Sequence, residues 1–177
     1  MPRQVAGFDC VFTPAKSASV LWALGDDAVR QAVLDAHHAA VAGTVAYMER
    51  EVARTRAGRG GIAQLDTRGL TAAPFDHWDT RPVRDPAGSH TDPNLHTHLV
   101  IANRVKGPDG RRRTLDSKAL HHAVVACSER YNALIADELT RTEVEGNLRE
   151  MIGRFRTEHG HEPSEPSRSS WRRPRHW

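Results

Sequence analysis

DPNLHTHLVIANRV, residues 92–105, is the stretch whose reading decides the fold. Over residues 95–104 the large side chains Leu95, Leu99 and Ile101 fall on alternate positions from His96 and His98, the period of a strand with one face buried. That period sends the side chains of His96 and His98, two residues apart, to the same side of the strand. Downstream, Pro108-Asp109-Gly110 is a hairpin turn that returns a strand near residues 111–115. Asp116 or Ser117 then caps a second long helix, with Leu120, Val124, Cys127, Tyr131, Leu134 and Leu139 along one face. The pattern fades after about Arg141. Residues 160–177 carry Pro, Ser, Arg and Trp without periodicity, so disorder is expected there.

Upstream, residues 79–94 read as a loop rich in Asp, Pro, Arg and Gly. Residues 62–65 and 70–78 read as two strands joined by the turn Asp66-Thr67-Arg68-Gly69. GRGG at 58–61 breaks a helix that spans about residues 26–54, with Val29, Val33, Val41, Val45, Met48 and Val52 in one stripe. At 1.5 Å per residue that helix is roughly 42 Å long, enough to cross a sheet. A short helix fits residues 17–24. Residues 7–13 alternate as a strand, with Phe8, Cys10 and Phe12 facing one way and Asp9, Val11 and Thr13 the other. Pro14, which has no N–H to give, ends it. The order is an α+β fold: an antiparallel sheet covered by two long helices, a two-layer sandwich.

Composition sets the outer bounds. A chain of 177 residues with 38% hydrophobic and 27% charged residues is a single domain by length and still builds a core. No run of about 18 apolar residues exists, so no membrane span is expected. The start, MPRQVAGFDC, lacks the apolar stretch of a secretory signal. Two cysteines without metal spacing, Cys10 and Cys127, exclude a disulfide framework and point to the cytoplasm. The net charge of +3 permits an anionic partner without demanding one. Nearly all basic residues are arginine, with lysine only at positions 16, 106 and 118. That fits phosphate contacts and equally a GC-rich genome.

The chemistry-bearing residues gather around the deciding strand. His96 and His98 project together, close enough to share a metal ion, and His77 on the preceding strand comes beside them if the two strands pair. Alone, the pair has two readings: metal ligands, or two of 11 histidines that fall two apart by composition. Asp9, the one charged residue of its strand, suits a carboxylate that orients a histidine or takes a proton, or is simply an edge residue. His37-His38 and His121-His122 lie on helices, where adjacent side chains diverge, and read as surface or partly buried. Tyr47 and Tyr131 lie inside helices and read as structural.

GFDCVFTPAKSASVLW at 7–22, FDHWDTR at 75–81, and DPNLHTHLVIANRV with GPDGRRRTLD at 92–116 together resemble one family closely. The chain is similar to the N-terminal domain of conjugative relaxases of the TrwC/TraI type, within the HUH endonucleases, over about residues 3–142. The resemblance implies metal-dependent nicking and strand transfer on single-stranded DNA at a plasmid transfer origin. It implies a divalent metal ion (Mg, Mn or Zn) on His77, His96 and His98, with Asp9 orienting a histidine or activating the attacking tyrosine. Lys16 and Ser17 resemble the family's phosphate-proximal turn, against the alternative of a solvated turn. Arg54, Arg56, Arg111, Arg112 and Arg113 suit a track for single-stranded DNA, against the alternative of a solvated helix end and hairpin.

Two departures from the family qualify this. Its nucleophilic tyrosines lie upstream of the GFD strand, so a truncated form is expected, with residues 1–142 a partial relaxase-like domain and 143–177 a divergent, disordered tail. The stretch between His77 and His96 is also long, as if Asp85-Pro86 were repeated at Asp92-Pro93. Competing readings are a DNA-binding remnant with a metal site but no nucleophile, and a metallohydrolase that uses water. A monomer is expected, with single-stranded DNA and other conjugation-machinery proteins as partners and no membrane contact.

Overall fold

A computed structural model describes residues 5–85 and 88–159. Backbone contacts divide the chain into two units, Met1–Leu139 and Thr140–Trp177. The first carries all the strands. Its element order is β1 (Gly7–Phe12), α1 (Lys16–Leu24), α2 (Asp27–Tyr47), β2 (Arg54–Ala57), β3 (Ala63–Asp66), β4 (Ala72–Asp79), β5 (Val83–Asp85), β6 (Gly88–His90), β7 (Pro93–Ala102), β8 (Val105–Lys106), β9 (Arg112–Arg113) and α3 (Ser117–His122). A last helix, α4 (Val124–His159), follows.

The main sheet is antiparallel with order β1-β7-β4, so the deciding strand is the central one. Its inward row, Leu95, Thr97, Leu99 and Ile101, is between 0% and 3% exposed. Burying a leucine or isoleucine this fully is worth about 1.5–3 kcal/mol each, which holds the register against a one-residue slip. The register pairs Phe12 with Thr97 on one side and Asp76 with Thr97 on the other. The core face therefore belongs to odd positions of β7 and even positions of β1 and β4.

Helix α2 covers that face. Asp26 caps it, accepting the Val29 N–H at 2.9 Å. Val33, Ala36, His37, Ala40, Val41 and Thr44 are buried along its length. The helix ends through a π-helical turn, Met48–Val52, where the Ala53 N–H reaches the Met48 carbonyl. The predicted stripe is the observed one, and the helix stops two residues before the predicted end. The relaxed period of the last turn keeps Met48 and Val52 in the core before the chain straightens into β2.

Several expectations give way. The turn at 66–69 does not join paired strands. β3 pairs back onto β2, with Arg54 opposite Asp66 and Ala57 opposite Ala63, while β4 pairs with β7. GRGG is thus a hairpin reversal as well as a helix break: Gly58, Gly60 and Gly61 adopt φ of 81°, 71° and 70°, accessible to glycine at little cost. The strand β2 went unread because Arg-Thr-Arg-Ala resembles a helix end. The loop at 79–94 holds a small hairpin, β5 with β6. The second long helix is two pieces, α3 and α4, divided at Ala123. Val124, read as core, is 58% exposed, whereas Tyr131 and Ile135 are buried. The helix also continues beyond Arg141 to His159. Residues 160–177 lie outside the described residues.

Candidate metal centre and nucleic-acid face

The face of the sheet away from α2 belongs to even positions of β7 and odd positions of β1 and β4. His77 sits opposite His96 in the register, and His98 lies between Val11 and Phe75. The three imidazole centroids are 5.1, 4.9 and 5.2 Å apart. One ligand nitrogen from each lies within 4.8 Å of the others. Nitrogens that share one ion at about 2.0–2.1 Å cannot be more than ~4.2 Å apart, so small side-chain rotations close this set onto a metal. Neutral imidazoles suit several divalent ions, and three of them leave coordination positions for an oxygen ligand.

Partners behind the rings fix which nitrogens face outward. The His98 Nδ1–H donates to the Asp9 carboxylate, at 2.8 Å to Oδ2 and 3.0 Å to Oδ1. The His96 Nδ1–H donates to the main-chain carbonyl of Asn94 at 2.6 Å. Both rings therefore present Nε2 as the free lone pair, and a carboxylate behind an imidazole raises its basicity as a ligand. Asp9 supports the triad rather than joining it. Around the site the face is open and partly apolar, with Val11 52%, Phe75 53% and Val100 44% exposed.

Beneath the triad runs a buried polar network that the sequence reading missed. Thr97, between the two β7 ligands but pointing inward, donates its hydroxyl to Asp76 Oδ1 at 2.5 Å and accepts from His37 Nε2 at 2.7 Å. His37 Nδ1 in turn accepts from the Tyr131 hydroxyl at 2.7 Å, and Asp76 Oδ2 accepts from His38 Nε2 at 2.8 Å. The network clamps α2 and α4 to β7 and ties β7 to β4 at the residue next to His77. Burial lowers His37 to a pKa of about 4, so the ring stays neutral and can accept from tyrosine. Burial also raises the Tyr131 hydroxyl well above its ordinary value. For Asp76 burial acts upward, but hydrogen bonds from Thr97 and His38 outweigh it and the carboxyl ends below its ordinary value. His37 was read as a surface or partly buried residue, yet Val33, His37 and Val41 are spaced four apart on the core stripe. That spacing was the available signal.

The remaining predicted residues scatter. The Lys16 ammonium donates to the Pro93 carbonyl at 2.7 Å, which anchors α1 at the start of β7. Ser17 is exposed in the first turn of that helix. Arg54 pairs with Asp66 at 3.3 Å and Arg56 with Asp116 at 2.8 Å, so both hold the β2–β3 hairpin in place. Arg113 makes two bonds to Asp109, at 2.8 and 2.7 Å, and Arg111 lies 3.9 Å from the same carboxylate. Arg112 is exposed. Trp22 and Trp78 stack on one another at 5.2 Å and 12°. Tyr131 is committed to the core side of the sheet, and Tyr47 packs at the same core with Arg130 over its ring at 5.2 Å. Neither tyrosine is on the histidine face.

The TrwC relaxase family matches residues 2–173. The multifunctional conjugation protein TraI of Escherichia coli is 32% identical over 155 residues, 84% of this chain and 8% of TraI. TraI of strain K12 is 34% identical over 116 residues, 65% of this chain and 6% of TraI. The chain thus spans less than a tenth of these relatives. Among solved structures, the conjugative relaxase TrwC in complex with oriT DNA, in a metal-bound form, aligns with a TM-score of 0.64 at 28% identity, covering 93% of this chain and 61% of that one. A copper-bound form of the same complex aligns equally well. Among the described residues, no helix is long and apolar enough to cross a membrane.

Proposed function

The chain belongs to the TrwC relaxase family, and we propose that its histidine face binds a divalent metal ion and holds a phosphodiester of single-stranded transfer-origin DNA there for nicking. The observation that carries the reading is the triad itself: His77, His96 and His98 converge on the open face of the sheet with their nitrogens within 4.8 Å. A divalent cation on such a set withdraws charge from non-bridging phosphate oxygens, where attack on a phosphodiester concentrates it.

The chain's own residues do the rest. Asp9 and the Asn94 carbonyl each hold one imidazole by Nδ1, so that Nε2 faces outward without reorganisation. The Asp76–Thr97–His37–Tyr131 network fixes the strand pair that spaces the three rings. Val11, Phe75 and Val100 offer apolar surface beside the site against which sugars and bases can lie. The attacking hydroxyl comes from outside this set, because Tyr131 is held under the sheet and Tyr47 packs on the same core.

The test is a denaturing gel of labelled single-stranded transfer-origin DNA incubated with Mn²⁺ or Mg²⁺. The protein is used both as this chain and extended by whatever its reading frame encodes upstream. A metal-dependent nick from the extended form that disappears in the His77→Ala, His96→Ala, His98→Ala triple variant supports the reading. No nick from either form, or a nick indifferent to the triple variant, overturns it.

A further inference from the structure

The histidine face does not end at the triad. Counting along β7, Ala102 lies on the same side as His96 and His98, roughly 13 Å beyond His98 and 20 Å beyond His96 at about 3.3 Å per residue. There it forms part of a pocket of about 330 Å³ whose wall includes Arg68, Arg104, Lys106 and Arg112. All four side chains belong to exposed residues. The carboxylates nearby in the fold are engaged elsewhere: Asp109 with Arg113 and Arg111, Asp66 with Arg54, Asp116 with Arg56. Glu49, beside Gly69, accepts the Leu70 N–H at 2.8 Å. Among the described residues no ion pair involves any of the four pocket cations.

The arrangement is not what folding alone favours. Lys106 and Arg112 are direct cross-strand partners in the β8–β9 hairpin, and like charges placed opposite one another destabilise a strand pair. The loop that carries Arg68 is drawn to the same hairpin, with its N–H on the Lys106 carbonyl at 2.9 Å and its guanidinium on the Pro108 carbonyl at 2.8 Å. Arg68 keeps further donors for another ligand. Four cations with no ion-pair partner among the described residues, against the single carboxylate of Glu49 close by, leave a concave wall with a net positive charge, a receptor for an anion of more than one charge.

Resting on the reading that DNA occupies the histidine face, we infer that this pocket grips the DNA backbone at a second point, a few phosphates away from the metal-bound one. The separation of about 13–20 Å is a short stretch of strand, roughly four to six nucleotides at the 3.4 Å axial rise of a duplex and fewer in an unwound single strand. Two anchors, one at the triad and one at the end of β7, set the direction and register of the strand across the triad, which a single metal-bound phosphate cannot do.

The experiment measures binding of labelled oligothymidylates of 4 to 14 nucleotides by fluorescence anisotropy, across a salt series. The proteins are the parent, Lys106→Gln/Arg112→Gln, Lys106→Glu, and the surface control Arg50→Gln. Each lost phosphate contact lowers the salt slope for single strands by about 0.7, so the double variant should lose ~1.4 and bind about 25-fold more weakly at 0.1 M salt relative to a 1 M reference. The parent's affinity should step up once the strand spans both points, and the double variant should lack the step. Lys106→Glu, which places opposite charges across the hairpin, should melt no lower than the parent yet bind DNA more weakly; this separates binding from folding. Equal slopes and equal length dependence in parent and double variant overturn the pocket while leaving the triad reading intact. Failure of the parent to bind at any salt overturns both. Pyrophosphate binding that depends on Lys106 and Arg112, with oligonucleotide binding that does not, identifies a free-anion site and overturns the DNA assignment.

Discussion

Replacing His37 with glutamine removes a titrating group from the buried network while keeping a donor for Thr97 and an acceptor for Tyr131. The native ring is 0% exposed and burial lowers its pKa from 6.5 to about 4. Above pH 6.5 the folded and unfolded chains both carry a neutral imidazole, and the shift contributes nothing. Below it the unfolded chain binds a proton that the folded chain refuses until the pH approaches 4, so stability falls as the solution is acidified across that window. At 1.36 kcal/mol per pH unit, the gap between 6.5 and about 4 amounts to about 3 kcal/mol. For a domain of this size that is roughly 6–12 °C in Tm. The assay is urea unfolding of parent and His37→Gln from pH 7 to pH 4, with a chelator present so that metal release does not contribute. The difference between the two curves, which cancels the other histidines and the carboxylates, should shrink or reverse by about 3 kcal/mol toward low pH. Parallel losses of stability in the two proteins, or a His37 ring resonance that titrates near 6.5 in the folded parent, would refute the reasoning.

Three further outcomes follow from the same geometry. Thr97→Val keeps the shape of the side chain but leaves the His37 Nε2–H without an acceptor and Asp76 without its hydroxyl donor; a loss of about 2–4 kcal/mol in chemical unfolding is expected, and an unchanged midpoint would show the network to be dispensable. Asp9→Asn removes the carboxylate behind His98, so metal affinity by calorimetry should drop about 10- to 100-fold while Tm moves little; equal affinities would remove Asp9 from the site. Tyr47→Phe and Tyr131→Phe should not abolish any protein–DNA adduct, since neither hydroxyl reaches the histidine face; loss of an adduct band on a denaturing gel would show the nucleophile to be one of them.

Much of this architecture is legible in the chain because two simple periods carry it. Alternation in β7 places three things at once: the central strand, its buried row, and the two histidines on the opposite side. The helical spacing of Val33, Val41, Val45 and Val52, eight, four and seven residues apart, places α2 over that row. Partner choice was not legible. Nothing local tells β3 to pair with β2 rather than β4, since the decision lies in glycine conformations at 58–61 and in the competition for the edges of β7. A run of basic residues shows charge but not pairing, and Asp66, Asp109 and Asp116 reach Arg54, Arg113 and Arg56 only after the hairpins fold. Among the four pocket cations, Arg112 belongs to a run, whereas Arg68, Arg104 and Lys106 stand singly in the sequence, where nothing marks them. His37 was hidden by its residue type, although its position on the helix stripe marked it as core.

The central claim is that metal and DNA meet at the histidine triad. The measurement that tests it most directly is the affinity of a labelled single-stranded oligonucleotide with saturating Mn²⁺ and with chelator, for the parent and for the His77→Ala, His96→Ala, His98→Ala triple variant. Mn²⁺ should tighten binding to the parent and leave the triple variant at the parent's chelator value. An equal effect of Mn²⁺ on both proteins, or none on either, would contradict the account.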